Sequence, residues 1–237
     1  MRKVDKHAYK PQLISIDPFH LQRKRPQRMI GYKEQYLQSF LQRTINKEEL
    51  DNPEAINAAY SSMIKKMEEL EPEARRFYEI LSPLNKDEFV KLMLLGGSFI
   101  IEFFIRLGQD EISIHDQDPI PRWRDYILLD LILVENQLPF SVLEMLYDEI
   151  KEPRDLTLIK SAQMALQPFL PKGIHHFGIT NIKHLLDYIH KSHVSNIARK
   201  NCCNRSRSET EIPSLEFPHA TKLHKAGIKL KGVDAEC

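Results

Sequence analysis

Cysteine is scarce in this chain, and none of the three present lies before position 202. Cys202 and Cys203 are neighbours, which rarely bridge each other, and Cys237 stands among polar residues. With no disulfide framework to staple it, the chain must hold together by its own core, and the pattern suits a reducing compartment. The opening Met1-Arg2-Lys3-Val4-Asp5-Lys6 has no apolar stretch behind it, so no secretory signal is expected there. The eight glycines are dispersed except for Gly96-Gly97, and no phosphate-cradling loop or dinucleotide fingerprint occurs. These absences remove nucleotide-loop enzymes and disulfide-rich secreted modules from consideration.

A long uninterrupted apolar run is also missing. The nearest approach is Phe89 to Leu107, where Lys91, Ser98, Glu102 and Arg106 break the run. At about 100° per residue those four fall on one narrow stripe of a helix. Charges at mid-bilayer cost roughly 2.5–3.5 kcal/mol each. The segment is therefore expected to be a central core helix with one wet stripe, not a membrane span. Nor does charge of either sign dominate, since the formal net charge is +1. Residues 1–28 carry eight Lys/Arg against two Asp/Glu, residues 29–194 eighteen against twenty-six, and residues 195–237 eight against five. An acidic body with basic ends is not the cationic folded face that nucleic acid requires. The basic ends are expected to be solvated tails, with contact to an anionic membrane surface as the other reading.

What is present is helical patterning. Apolar residues recur at helical spacing from Met29 to Leu41, from Ile56 to Leu70, and from Ile182 to Ile189. Asn52-Pro53 reads as a cap followed by first-turn proline, and Asn85 to Glu88 as a capping box. Pro72 is expected to kink or restart its helix, Asp155 to open another, and Thr180 to cap the last. Glu135-Asn136-Gln137-Leu138-Pro139 breaks the apolar helix that precedes it, because Pro139 biases Leu138 out of the α region. Residues 4–18 read as extended chain and Ile228 to Lys231 as a short strand. The expected fold is mainly α, an irregular multi-helix bundle around a central apolar helix, with at most a short strand or two near the termini. It divides into a helical domain over 1–193, a disordered linker over 194–213, and the start of a truncated second half over 214–237.

Few residues offer chemistry. Ser98 lacks the G-x-S-x-G elbow of a nucleophilic serine, and its glycine neighbours point instead to close approach of another backbone. His190 and His193 lie one helical turn apart, but the adjacent Cys202 and Cys203 do not suit zinc. Asp116 and Asp118 lack the remaining ligands of a calcium loop. Glu135, Asn136 and Gln137 stand between two apolar helices, where capping of broken helix ends accounts for all three. No catalytic, cofactor or metal set emerges.

Five motifs in order give a resemblance over Val4 to Lys231. They are Ala8-Tyr9-Lys10-Pro11 with Ile14 to His20, Tyr36 to Leu41, and Glu88 to Leu95 with Phe99 to Glu102. Glu135 to Pro139 and Ala220 to Lys229 follow. In this the chain resembles the plant "domain of unknown function 247" family. Gly96-Gly97-Ser98-Phe99 departs from the family's usual Asp-Gly-Cys-Phe. The resemblance implies a plant-specific, largely helical, typically membrane-tethered protein with no established enzymatic activity, some grass members being linked to pollen–stigma self-recognition. It also implies continuation to a C-terminal membrane anchor, so this chain is expected to be a fragment, a truncated gene model or a shortened paralogue. The expected function is a non-enzymatic helical interaction module with an unidentified protein partner, soluble and cytoplasmic in this form. An enzyme with a site near Ser98, Glu102 and Glu135 is the alternative.

Overall fold

A computed structural model describes residues 10–16, 18, 27–78, 84–108, 120–150, 156–171 and 179–204. The chain divides into two units, Met1–Ala198 and Arg199–Cys237. The helical body lies in the first unit. The described residues form helices α1 (Gln27–Arg43), α2 (Pro53–Arg76), α3 (Lys86–Gly108), α4 (Arg124–Leu131), α5 (Phe140–Asp148), α6 (Leu158–Ala165) and α7 (Leu185–Asn204). Short 3-10 turns lie at Lys47–Glu49, Ile120–Trp123 and Gln167–Phe169. No strand occurs among the described residues, in accord with a mainly α bundle; the expected strand at 228–231 lies outside them.

The expected core helix is α3. It packs against α1, α2, α5 and α6, and Phe89, Met93, Phe99, Ile100, Ile101 and Phe103 on it are all buried. Rings stack along this axis, with Tyr36 against Phe99 at 5.0 Å between centroids and Phe99 against Phe103 at 5.9 Å. No helix among the described residues is long and apolar enough to cross a membrane.

Both expected caps at the α2 and α3 starts form. Asn52 accepts from the Glu54 amide at 3.0 Å behind first-turn Pro53. Asn85 and Glu88 exchange reciprocal bonds of 2.8 and 3.1 Å, each side chain accepting from the other's backbone amide. Pro72 does not restart the helix, since α2 runs through it to Arg76.

Several expectations need correction. The α3 stripe is wet only at its ends: Lys91 is exposed, but Ser98 and Glu102 are fully buried. Thr180 does not cap α7. The helix begins at Leu185, where His184 Nδ1 accepts from the Asp187 amide at 3.1 Å and Asp187 accepts from the Lys183 amide at 2.8 Å. Thr157 caps α6 by accepting from Lys160, and Asp155 lies outside the described residues. Residues 194–204, expected to be disordered linker, are helical as the end of α7; 205–237 lie outside the described residues. That stretch lacks apolar periodicity, and α7 nonetheless propagates from its well-packed first half, which buries Leu185, Tyr188 and Ile189.

A candidate functional site at the break between helices four and five

Two polar clusters lie inside the bundle. The first is built on the chain reversal between α4 and α5. Pro139 ends the possibility of one continuous helix, and the freed backbone groups must find partners in an apolar interior. Asn136 and Gln137, 0 % and 4 % exposed, supply them. The Asn136 amide donates to the carbonyls of Asp130 at 2.8 Å and Ile14 at 2.9 Å, while its oxygen accepts from the Ile16 amide at 2.8 Å. The Gln137 amide donates to the carbonyls of Leu131 and Leu133, and its oxygen accepts from the Leu186 amide at 3.2 Å. Asp130 accepts from three successive backbone amides, Gln12 at 2.8 Å, Leu13 at 2.7 Å and Ile14 at 2.9 Å.

The break therefore clamps two distant segments. It fixes the N-terminal stretch around Ile14 and Ile16, both wholly buried, and the start of α7. Tyr78 adds a bond from its hydroxyl to the Gln137 carbonyl at 3.0 Å, and the buried Lys33 ammonium donates to the Ser15 carbonyl. Gly96 is part of the same fit, because a Cβ there would lie 3.2 Å from the Ile16 carbonyl oxygen. The expected backbone approach is real at Gly96. At Gly97 the neighbours are side chains instead, and a Cβ added there would stand 2.5 Å from Leu146 Cδ1.

The second cluster is ionic and joins α1 to α3. Glu102 receives Arg43 Nε at 2.7 Å and Arg106 Nε at 2.8 Å. Arg106 also donates to Ser39 Oγ at 2.9 Å and lies 4.3 Å over the Tyr36 ring. Ser98 donates to the Leu94 carbonyl at 2.7 Å, within its own helix.

The three residues of the enzyme alternative are thus not brought together on an open pocket. Ser98 and Glu102 are enclosed on one helix and engaged as described, and Glu135 sits half-buried at the helix break. Among the described residues, no group of three or more His, Cys, Asp or Glu is placed to hold a metal. His190 and His193 are exposed on α7, and His193 Nε2 lies 3.0 Å from the Phe169 carbonyl.

One open cleft of 560 Å³ lies away from both clusters, lined by Phe140, Glu144, Tyr147 and Asp148 of α5 and by Leu156 to Ile159 at the α6 start. Burial, and then the neighbouring Asp148 charge, push the Glu144 carboxyl above its usual range. At the α7 cap, burial pushes His184 down, assisted by Lys183 and Lys191 and opposed by Asp187. For Asp187 itself, burial is the largest influence and acts upward, but the Lys183 amide, Lys191 and His184 together outweigh it and lower its pKa. Burial raises Tyr188 to about 12. Neither the cleft nor the Asp130 clamp is announced by the sequence; Asp130 follows an apolar run with no visible signal, since its donors lie more than a hundred residues away.

A helical scaffold whose interior polar groups secure its own segments is the class this geometry defines. The chain belongs to the plant protein family of unknown function DUF247, which matches residues 1–237. It is 31% identical to UPF0481 protein At3g47200 of Arabidopsis thaliana across 94% of this chain and 49% of that protein. The chain thus spans about half the length of the curated relative it matches. No solved structure matches it.

Proposed function

We propose that this chain is a non-enzymatic protein-interaction module, and that whole family chains present it from a membrane. The observation that carries the reading is the commitment of the interior polar groups. Asp130, Asn136, Gln137 and Glu102 are the residue types from which a site could be made, and each is engaged by backbone or arginine of the scaffold. A helical body with its polar chemistry turned inward offers partners a surface. That surface retains apolar side chains: α4 buries Ile127, Leu128 and Leu131 yet leaves Tyr126 and Leu129 about half exposed, with Val134 beyond them.

Affinity capture from plant tissue tests this, with a whole family chain and this 237-residue chain as parallel baits and an unrelated helical protein as control. A common partner retained by both family baits and absent from the control is the expected result. If neither retains any protein above the control, the interaction reading fails.

A further inference from the structure

We propose that the cleft between α5 and α6 receives a basic segment of a protein partner, an apolar side chain entering the cleft while an adjacent lysine or arginine lies against Glu144 and Asp148. The inference rests on the interaction reading and gives it a surface and a partner chemistry.

The cleft's size comes first. At 560 Å³ the cleft is open to solvent and has room for a side chain of a partner. Its floor is apolar, formed by the buried Phe140, Tyr147 and Leu158, with the half-buried Leu156 and Ile159 as walls. Tyr147 contributes its ring, because its hydroxyl is turned to the Leu156 carbonyl at 2.7 Å. Water in such a space is readily displaced by an aliphatic group.

The rim decides the sign of the occupant. Glu144 and Asp148 are one helical turn apart on the exposed edge of α5. Among the described residues neither carboxylate has a hydrogen-bond or ion-pair partner. Other partly buried carboxylates of the bundle are neutralised, Glu149 by Lys66, Glu71 by Arg75 and Asp187 by Lys191. The helix α5 contains no basic residue. In sequence, the segment joining it to α6 balances Lys151 and Arg154 against Glu152 and Asp155. Two carboxylates with no counter-charge among the described residues repel each other over an apolar floor, and an arriving cation relieves that repulsion while its aliphatic stem covers the floor. The first α6 amides would favour an anion, but Thr157 already satisfies one of them, and the carboxylates exclude a negative group. Exposed ion pairs contribute little alone. The apolar side chain is the anchor, and the carboxylates select the partner and speed its approach.

The test uses the full chain, isotope-labelled, titrated with the blocked peptide Ac-GSLKRLSG-NH2 and with its charge-reversed counterpart Ac-GSLEELSG-NH2. Saturable amide shifts at Glu144, Asp148, Thr157 and Ile159 are expected with the basic peptide alone. The double variant E144Q/D148N should weaken that binding by about tenfold or more and leave melting intact, since neither carboxylate holds another part of the described fold. The proposal is overturned by no saturable shift with the basic peptide, by equal binding of the acidic one, or by undiminished binding to the double variant. Basic-peptide shifts confined to another surface overturn the cleft and leave the interaction reading standing. Capture of no partner by whole-chain baits overturns that broader reading instead.

Discussion

The two sides of α3 solve the same problem differently. Toward α1, polar side chains meet one another: Glu102 is held by Arg43 and Arg106, whose far atoms still reach solvent, with side chains 17% and 32% exposed. Toward the N-terminal segment, polar side chains meet backbone: Asp130, Asn136 and Gln137 engage amides and carbonyls of segments that form no strand. A side-chain cluster can be replaced as a unit by apolar groups of similar shape, often at little cost. A side chain that satisfies backbone cannot, because the orphaned amides remain wherever the chain runs. The helix break is therefore the less replaceable side.

Asp130→Ala should have the largest effect, about 3–5 kcal/mol lost as three amides of the N-terminal segment forfeit a charged acceptor. Chemical denaturation measures it, and a loss below about 1 kcal/mol would erase the contrast. Gly97→Leu follows at about 3 kcal/mol, since the added side chain must displace Leu146. Asn136→Ala should cost about 2 kcal/mol. Gly96→Ala should cost less, about 1 kcal/mol, through the Ile16 carbonyl contact. Replacing Arg43, Glu102 and Arg106 together by Met, Met and Leu should fall within about 1 kcal/mol of the parent, whereas Glu102→Ala alone should cost more. A triple variant as damaged as Asp130→Ala would mean the two sides are alike.

The smallest effect sharpens the comparison at α7. His184 is held below its ordinary pKa of 6.5 by burial and uses Nδ1 as an acceptor. The neutral form is therefore favoured by folding, and stability contributed by the cap is lost as pH falls through 6.5 toward the folded value. Asp187, lowered from 3.8, adds a loss in the same direction further into acid. Amide exchange at Leu186 and Asp187, corrected for intrinsic rates, should accelerate from pH 7 to 5 while Ile16 does not. His184→Gln should abolish that slope.

Much of this is readable in the residues. The α3 core follows from composition and stripe, and the caps at Asn52 and Asn85 from local chemistry, because both signals act within a few positions. Asn136 and Gln137 are legible as helix-break residues for the same reason. Their reach to Ile16 and Leu186 is not, since the tertiary path of those segments appears in no local pattern. The stripe on α3 misleads about solvent because burial of Glu102 depends on Arg43, 59 positions away. Thr180 misplaces the α7 start because it is a good capping residue in isolation, and His184 an uncommon one. The α5–α6 cleft depends on how two short helices pack, which their sequences do not encode separately.

Native-state amide exchange at Ile14 and Ile16 tests the central claim most directly, measured in the parent chain and in Asn136→Ala. Both amides should be strongly protected in the parent, and Ile16 should lose protection in the variant while buried amides of α3 such as Phe99 keep most of theirs. Exchange of Ile14 and Ile16 at free-peptide rates in the parent would contradict the account, because the helix break would then be clamping nothing.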